Sequence, residues 1–215
     1  MASGNLFEPD WAKAFKPLIK LYKGKKHPLE YRSRYQLLVM VVLSAQDSDR
    51  HINSLAPDFF KAFPSFKALV KATPEKLRKH LSSVRNFANK IKWLLATASQ
   101  LQDKKTIPTT MAELTQFSGI GRKSASVIIR ESGGEAEGII TDLHVVRVAP
   151  RLGVASGTDP LKIEKQLMEK VPKKDWGQVG MAISFLGRET CRPTNPNCAA
   201  CVMNKYCAYY KGLKK

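Results

Sequence analysis

Strict alternation of apolar and polar residues, the mark of a half-buried strand, is scarce along this chain, whereas helical punctuation recurs. Thr73-Pro74-Glu75 supplies a capping hydroxyl, a proline at the first helical position and an acid on the positive end of the helix dipole. Asp159-Pro160 repeats the device for a segment running to about residue 171, where Pro172 stops it. Thr110-Met111-Ala112-Glu113 reads as a capping box that opens a short helix through residue 117. Residues 35–45 and 91–101 are apolar enough to be buried helices. No internal repeat, low-complexity tract or long Gly/Ser linker interrupts the pattern. The expectation is an all-α chain of about ten helices, with the Gly-rich acidic stretch 132–138 as a hinge between two halves.

Composition sharpens this picture in two ways. With 215 residues and 43% hydrophobic content, the chain can bury a core for one large domain or two modest ones, which excludes wholesale disorder. Its longest unbroken apolar run, residues 37–43, has seven members, far short of the ~20 that a membrane-spanning helix needs. The opening Met-Ala-Ser-Gly-Asn-Leu-Phe-Glu-Pro-Asp-Trp lacks a basic region followed by an apolar stretch, so no secretory signal is visible and a cytoplasmic protein is expected. Lysine and arginine number 36 against 18 acids, a formal charge of +18. Ion-paired surfaces need both signs, so this imbalance points to an anionic partner, with nucleic acid first and an acidic protein second.

The segment 114–129 combines candidate chemistry with that charge. Gly119 and Gly121 bracket a single apolar residue, Ile120, and a second helix begins near Arg122. Two glycines at this spacing permit a tight turn with positive φ. They also leave backbone N–H groups bare at the positive end of the following helix, which makes an anion cradle able to grip a DNA phosphate without sequence preference. Lys123 falls in the first turn of that helix, where a cation is disfavoured by the dipole. It either touches phosphate, the simpler reading from spacing alone, or carries an amine destabilised in its protonated form. A free amine is a nucleophile that forms a Schiff base with an aldehyde-level carbon. Nineteen residues later, Asp142 precedes an apolar-periodic run and looks like an N-cap, while His144 reads as a packed or surface histidine. The four histidines suggest neither a His-rich metal site nor a triad.

All four cysteines lie within 17 residues, as Cys191-x6-Cys198-x2-Cys201-x5-Cys207, amid the turn formers Arg192, Pro193, Asn195, Pro196 and Asn197. In a reducing compartment, thiols this close favour a shared metal centre over a disulfide pair. Structural zinc usually shows two short pairs, and only Cys198 and Cys201 form one. The wider gaps suit a bulkier [4Fe–4S] cubane, with zinc as the alternative.

Three features coincide: the hairpin Gly119-Ile120-Gly121-Arg122-Lys123, an aspartate nineteen residues after the lysine, and the cysteine tail. Together they resemble the endonuclease III family, bifunctional DNA glycosylases of the helix-hairpin-helix superfamily. Leu43-Ser44-Ala45-Gln46 also looks like that family's N-terminal signature, and the resemblance runs from about residue 30 to Cys207. It implies two helical lobes: a six-helix barrel over 27–135, with the helix-hairpin-helix at about 111–131, and a [4Fe–4S] lobe made of 1–26 plus 136–215. It implies a partner, double-stranded DNA holding damaged bases or abasic sites, contacted by Gln46, Gly119, Ile120, Gly121, Arg122 and Arg192. The damaged nucleotide would swing out of the stack. Lys123 would then displace the base and hold the sugar as an imine until β-elimination cuts the strand, and Asp142 would stabilise the cationic sugar. Cys191, Cys198, Cys201 and Cys207 would hold a structural cluster. A nucleoid-associated monomer acting on oxidised pyrimidines follows from the resemblance. The chain departs from the family at Phe117-Ser118 for the usual Leu-Pro and at Leu143 within Thr141-Asp142-Leu143-His144. It departs again before Arg85-Asn86, where Ser82-Ser83-Val84 replaces a bulky wedge. A serine wedge would hold the opposite base poorly. That leaves two alternatives: an abasic-site lyase with little glycosylase activity, or a non-catalytic DNA-binding protein with a four-cysteine metal site.

Overall fold

The computed structural model describes residues 9–213. The first eight residues of the expected 1–26 segment, and Lys214 and Lys215, lie outside the described residues. Among those described there is no strand. Thirteen α-helices follow one another: α1 (Trp11–Ala14), α2 (Lys16–Leu21), α3 (Arg34–Ser44), α4 (Asp49–Ala62), α5 (Phe66–Val70), α6 (Pro74–Leu81), α7 (Phe87–Leu101), α8 (Met111–Leu114), α9 (Arg122–Glu131), α10 (Leu143–Leu152), α11 (Pro160–Lys170), α12 (Trp176–Glu189) and α13 (Ala208–Leu213). A 3-10 turn, Lys173–Asp175, precedes α12. The excess over about ten comes from one-turn helices such as α1 and α5, too short to show a 3.6-residue period.

Local chemistry sets most of the starts. Ser33, Ser48, Ser65, Thr73, Thr110 and Asp159 each accept a backbone N–H of the first turn at the head of α3, α4, α5, α6, α8 and α11. Two boundaries differ from the pattern. α8 stops at Leu114 rather than 117, because Gln116 and Phe117 donate to the carbonyls three residues back and wind tighter than an α-helix. α7 begins at Phe87, four residues before 91, on Asn86 in the left-handed region (φ 58°) with no side-chain cap, so no capping signal marks it.

The chain divides into two compact units, at 25–26 and at 135–136, the second division falling inside the Gly-rich stretch. One unit, residues 26–135, is built around α3. Its residues Leu37 through Leu43 are all buried, as suits a helix apolar on every side, and α4, α7 and α9 pack on it. His80 meets both Phe59 and Phe63 edge to face where α4 meets α6, and the Tyr35 hydroxyl donates to the Phe63 carbonyl at 2.6 Å. The other unit joins the N-terminal stretch through Lys25 to the chain from Ala136 onwards, around α12. Residues Val179 through Gly187 of α12 are buried against α2 and α10. Tyr22 stacks 5.4 Å from Phe185 and donates to Glu189, which also pairs with Lys25. These contacts tie the N-terminal stretch to α12. No helix among the described residues is long and apolar enough to cross a membrane.

Candidate functional site

The α8–turn–α9 hairpin belongs to the 26–135 unit. Gly119 has φ +83°, and a Cβ there would lie 2.5 Å from a ring carbon of Trp93, so glycine is required both by conformation and by the indole beneath it. Gly121 differs from the expectation of two positive-φ glycines. Its backbone is extended (φ −86°, ψ 177°) and a Cβ would meet nothing within 4 Å. It is the N-cap of α9 and offers no side chain to the helix's first N–H groups. Ile120 is buried at 3% exposure and, against the expectation of bare N–H groups, its own N–H donates to the Phe117 carbonyl at 3.1 Å, which removes that donor from the cradle. Arg122 and Lys123 are the first two residues of α9, and Lys123 is exposed. The hairpin therefore has the form of a cradle for an anion, ten helical residues behind it and a primary amine beside it.

His27, to which the sequence assigns no role, belongs to this neighbourhood. Its Nδ1 accepts the Leu29 N–H at 3.1 Å, which leaves the ring proton on Nε2. Burial pushes its pKa down to about 4, the charges of Lys123 and Arg130 adding to the effect and Glu131 and Asp49 opposing it. No spacing signal marks this histidine.

Gln46 lies in the same unit, exposed, in the left-handed region (φ +60°) just beyond α3. Two side chains fix the segment around it. Lys90, 1% exposed, donates from Nζ to the carbonyls of Leu43 and Ala45, both at 2.7 Å, and so caps the end of α3 from across the unit. Burial holds its pKa below the usual lysine range. Asp47 accepts the N–H of Ser48 at 2.8 Å, the N–H of Arg85 at 3.0 Å and His51 Nδ1 at 2.9 Å, while His51 Nε2 lies 3.2 Å from Ser83 Oγ. Partial burial works against the Asp47 charge, but the donors at Arg85, His51 and Ser48 prevail and hold its pKa below the ordinary value. The Gln46 segment and the turn before α7 are thus joined through one carboxylate. Within that turn Ser83 is engaged by His51 and Val84 is buried at 2% exposure. Neither Lys90 nor Asp47 is singled out by pattern.

Asp142 and the cysteines belong to the other unit. Asp142 is the N-cap of α10: Oδ1 accepts the N–H groups of His144 and Val145, both at 2.9 Å. Its second oxygen, Oδ2, accepts the hydroxyl of Ser184 on α12 at 2.6 Å. Small residues on α12 allow this approach. A Cβ on Gly180 would lie 2.5 Å from the Ile140 carbonyl oxygen, and one on Gly187 would lie 2.9 Å from His144 Cβ. The spacing Gly180, Ser184, Gly187 puts all three on one helix face, a signal present in the sequence and missed.

The four cysteines line one pocket together with Leu152, Leu186, Tyr209 and Tyr210. None is in a disulfide. Arg151 orders the loop: its guanidinium lies 3.6 Å from Cys191 Sγ, donates to the carbonyls of Arg192 and Pro193 at 2.8 and 3.0 Å, and stands over the Tyr209 ring. Arg147 adds a bond to the Gly187 carbonyl at 2.8 Å. Arg192 is exposed. Burial, and then the neighbouring thiols, push the Cys198 thiol up; the Cys201 thiol is raised as well, by burial first. Such groups ionise when a cation replaces their protons. Among the described residues no three His, Cys, Asp or Glu side chains are arranged to hold a single metal ion. A donor set of four sulfurs suits a soft metal centre, zinc and an iron–sulfur cluster alike.

Residues 39–173 match the model of the HhH-GPD superfamily of base excision DNA repair proteins. The chain is 33% identical over 192 residues to the endonuclease III of Synechocystis sp., covering 88% of each. It is 30% identical over 200 residues to that of Rickettsia felis, covering 92% of this chain and 93% of the relative. A solved structure of a trapped endonuclease III–DNA covalent intermediate superposes with a TM-score of 0.86 at 28% identity, over 98% of this chain and 100% of that one.

Proposed function

The chain belongs to the HhH-GPD superfamily of base excision DNA repair proteins, and we propose that within it the protein works as a DNA glycosylase with abasic-site lyase activity, using Lys123 as nucleophile. It is an enzyme of the endonuclease III kind whose partner is double-stranded DNA carrying damaged bases or abasic sites. The observation that carries the lysine assignment is its place as the second residue of α9, exposed, directly after a backbone cradle with no side-chain cap. A phosphate held by the backbone of Gly119 and Gly121 and the first turn of α9 would bring the sugar backbone to that amine.

The damaged nucleotide leaves the stack. The Lys123 amine forms a bond to the anomeric carbon as the bond from that carbon to the base breaks, and the base departs with the bonding electrons. Asp142 takes the role of the anion opposite the developing positive charge and receives the lysine's proton. The bond from the anomeric carbon to the ring oxygen breaks, the oxygen taking a proton from solvent, to give a protonated imine; loss of the C2′ proton to solvent then expels the 3′ phosphate by β-elimination. Hydrolysis of the remaining imine returns the free lysine. Gln46, Arg122 and Arg192 are assigned to DNA contact. Cys191, Cys198, Cys201 and Cys207 would hold a [4Fe–4S] cluster, which when bound supplies a structural cross-link for the loop that carries Arg192. A DNA-repair enzyme acts where DNA is, so the proposal includes nucleoid association in the cytoplasm, as a monomer.

Oxidised pyrimidines are the proposed lesions. One observation favours a second reading, a lyase with little glycosylase activity: Ser83 is engaged and Val84 buried, so the turn offers no bulky wedge between Ser82 and Val84. Incubating the protein with duplexes that carry either thymine glycol or an abasic site separates the two. Cleavage of both supports the glycosylase, cleavage of the abasic duplex alone supports the lyase, and cleavage of neither overturns the reaction assigned to Lys123.

A further inference from the structure

Asp142 uses more of its carboxylate than an N-cap requires. Capping α10 needs one oxygen, and Oδ1 already accepts both the His144 and the Val145 N–H. Oδ2 is nevertheless met by a dedicated donor, Ser184 Oγ at 2.6 Å. That serine is fully buried in the middle of α12, at 0% exposure. A buried hydroxyl is costly unless paired, and a mid-helix serine ordinarily turns back to its own helix's carbonyl. Here it is directed out of α12, through a gap that exists because Gly180 and Gly187 flank it on the same face. Asp142 itself stays partly exposed and reachable.

We propose that Ser184 is a positioning residue for the reaction, holding the Asp142 carboxylate in one orientation through its Oδ2. With Oδ1 fixed by two backbone donors and Oδ2 by the serine, the carboxylate cannot rotate about its Cβ–Cγ bond. Its charge is therefore aimed before the substrate arrives, which is the condition under which an anion is most effective against a developing cation. The inference rests on the assignment of Asp142 above.

The test is single-turnover cleavage of an abasic-site duplex, with Kd measured separately on a duplex carrying an uncleavable tetrahydrofuran analogue. Ser184→Ala should slow cleavage about tenfold and change Kd by less than about twofold, a split that mere loosening of the fold would not produce. In an Asp142→Asn background, Ser184→Ala should cause no further slowing, because the serine acts only through the carboxylate. Ser184→Cys keeps the side chain's size with a weaker donor and carries the same comparison if the alanine variant is unstable. A full rate in both serine variants alongside a lost rate in Asp142→Asn overturns the inference alone. An undiminished rate in Asp142→Asn overturns the assignment of Asp142 and the inference with it. Additive losses in the double variant place Ser184's effect elsewhere and also overturn it.

Discussion

Gly119 and Gly121, separated by one residue but unlike in environment, give a sharp test of the hairpin. Replacing Gly119 by alanine places a methyl-bearing residue at φ +83°, which costs about 1–2 kcal/mol for the left-handed conformation. The new Cβ would also lie 2.5 and 2.8 Å from two ring carbons of Trp93, well inside van der Waals contact. Moving the indole or the turn to relieve that overlap costs about 1–3 kcal/mol. The sum is about 2–4 kcal/mol, since one backbone shift relieves part of both. Gly121→Ala meets neither obstacle, with φ at −86° and no atom within 4 Å, so it should cost no more than about 1 kcal/mol as a poorer N-cap. Urea denaturation followed by circular dichroism measures both on one scale. In a Trp93→Leu background the penalty of Gly119→Ala should fall by at least about 1 kcal/mol, because only the conformational part is left. Equal stability of the two alanine variants would mean that neither the positive φ nor the Trp93 ring constrains the turn, and an unchanged penalty without the indole would mean that the ring does not.

Lys90→Met should destabilise the protein by about 2–4 kcal/mol in urea melts, because the carbonyls of Leu43 and Ala45 lose a shared donor inside the unit. Burial keeps His27 neutral down to about pH 4, whereas an unfolded histidine takes up a proton near its ordinary value of 6.5. Between those values the unfolded chain binds more protons, so stability falls as pH drops from about 6.5 to about 4, by up to about 3 kcal/mol. His27→Gln should flatten that part of the pH–stability curve, and a parallel curve would contradict the buried, neutral ring. Cys198→Ser should lower the iron and acid-labile sulfide recovered with the purified protein and fade its visible absorbance. Arg151→Ala should do so more weakly, since it orders the loop without supplying a ligand.

Features written in a few adjacent residues were legible in the sequence. The N-caps Thr73, Thr110, Asp142 and Asp159 act within one turn of themselves, and the structure finds all four capping. The hairpin glycines announced a tight turn for the same reason, although only Gly119 needs its positive φ. What escaped depends on partners far along the chain. Lys90 looks like one more solvated lysine until α7 places it against the end of α3, more than forty residues away. Ser184 looks like a filler between apolar residues, and its partner lies 42 positions upstream. The start of α7 was missed because Asn86 reaches its cap position through a left-handed backbone rather than a capping side chain. Pattern reports faces and ends; it is silent on which buried polar group answers which.

In the proposed reaction the amine of Lys123 bonds covalently to the sugar. The direct measurement is to reduce the protein with borohydride on abasic-site DNA, digest the adduct and locate the added sugar fragment by mass spectrometry. The fragment is expected on the peptide containing Lys123, with no adduct formed by Lys123→Ala. A fragment mapped to another amine, or an adduct that forms equally well without Lys123, would contradict it.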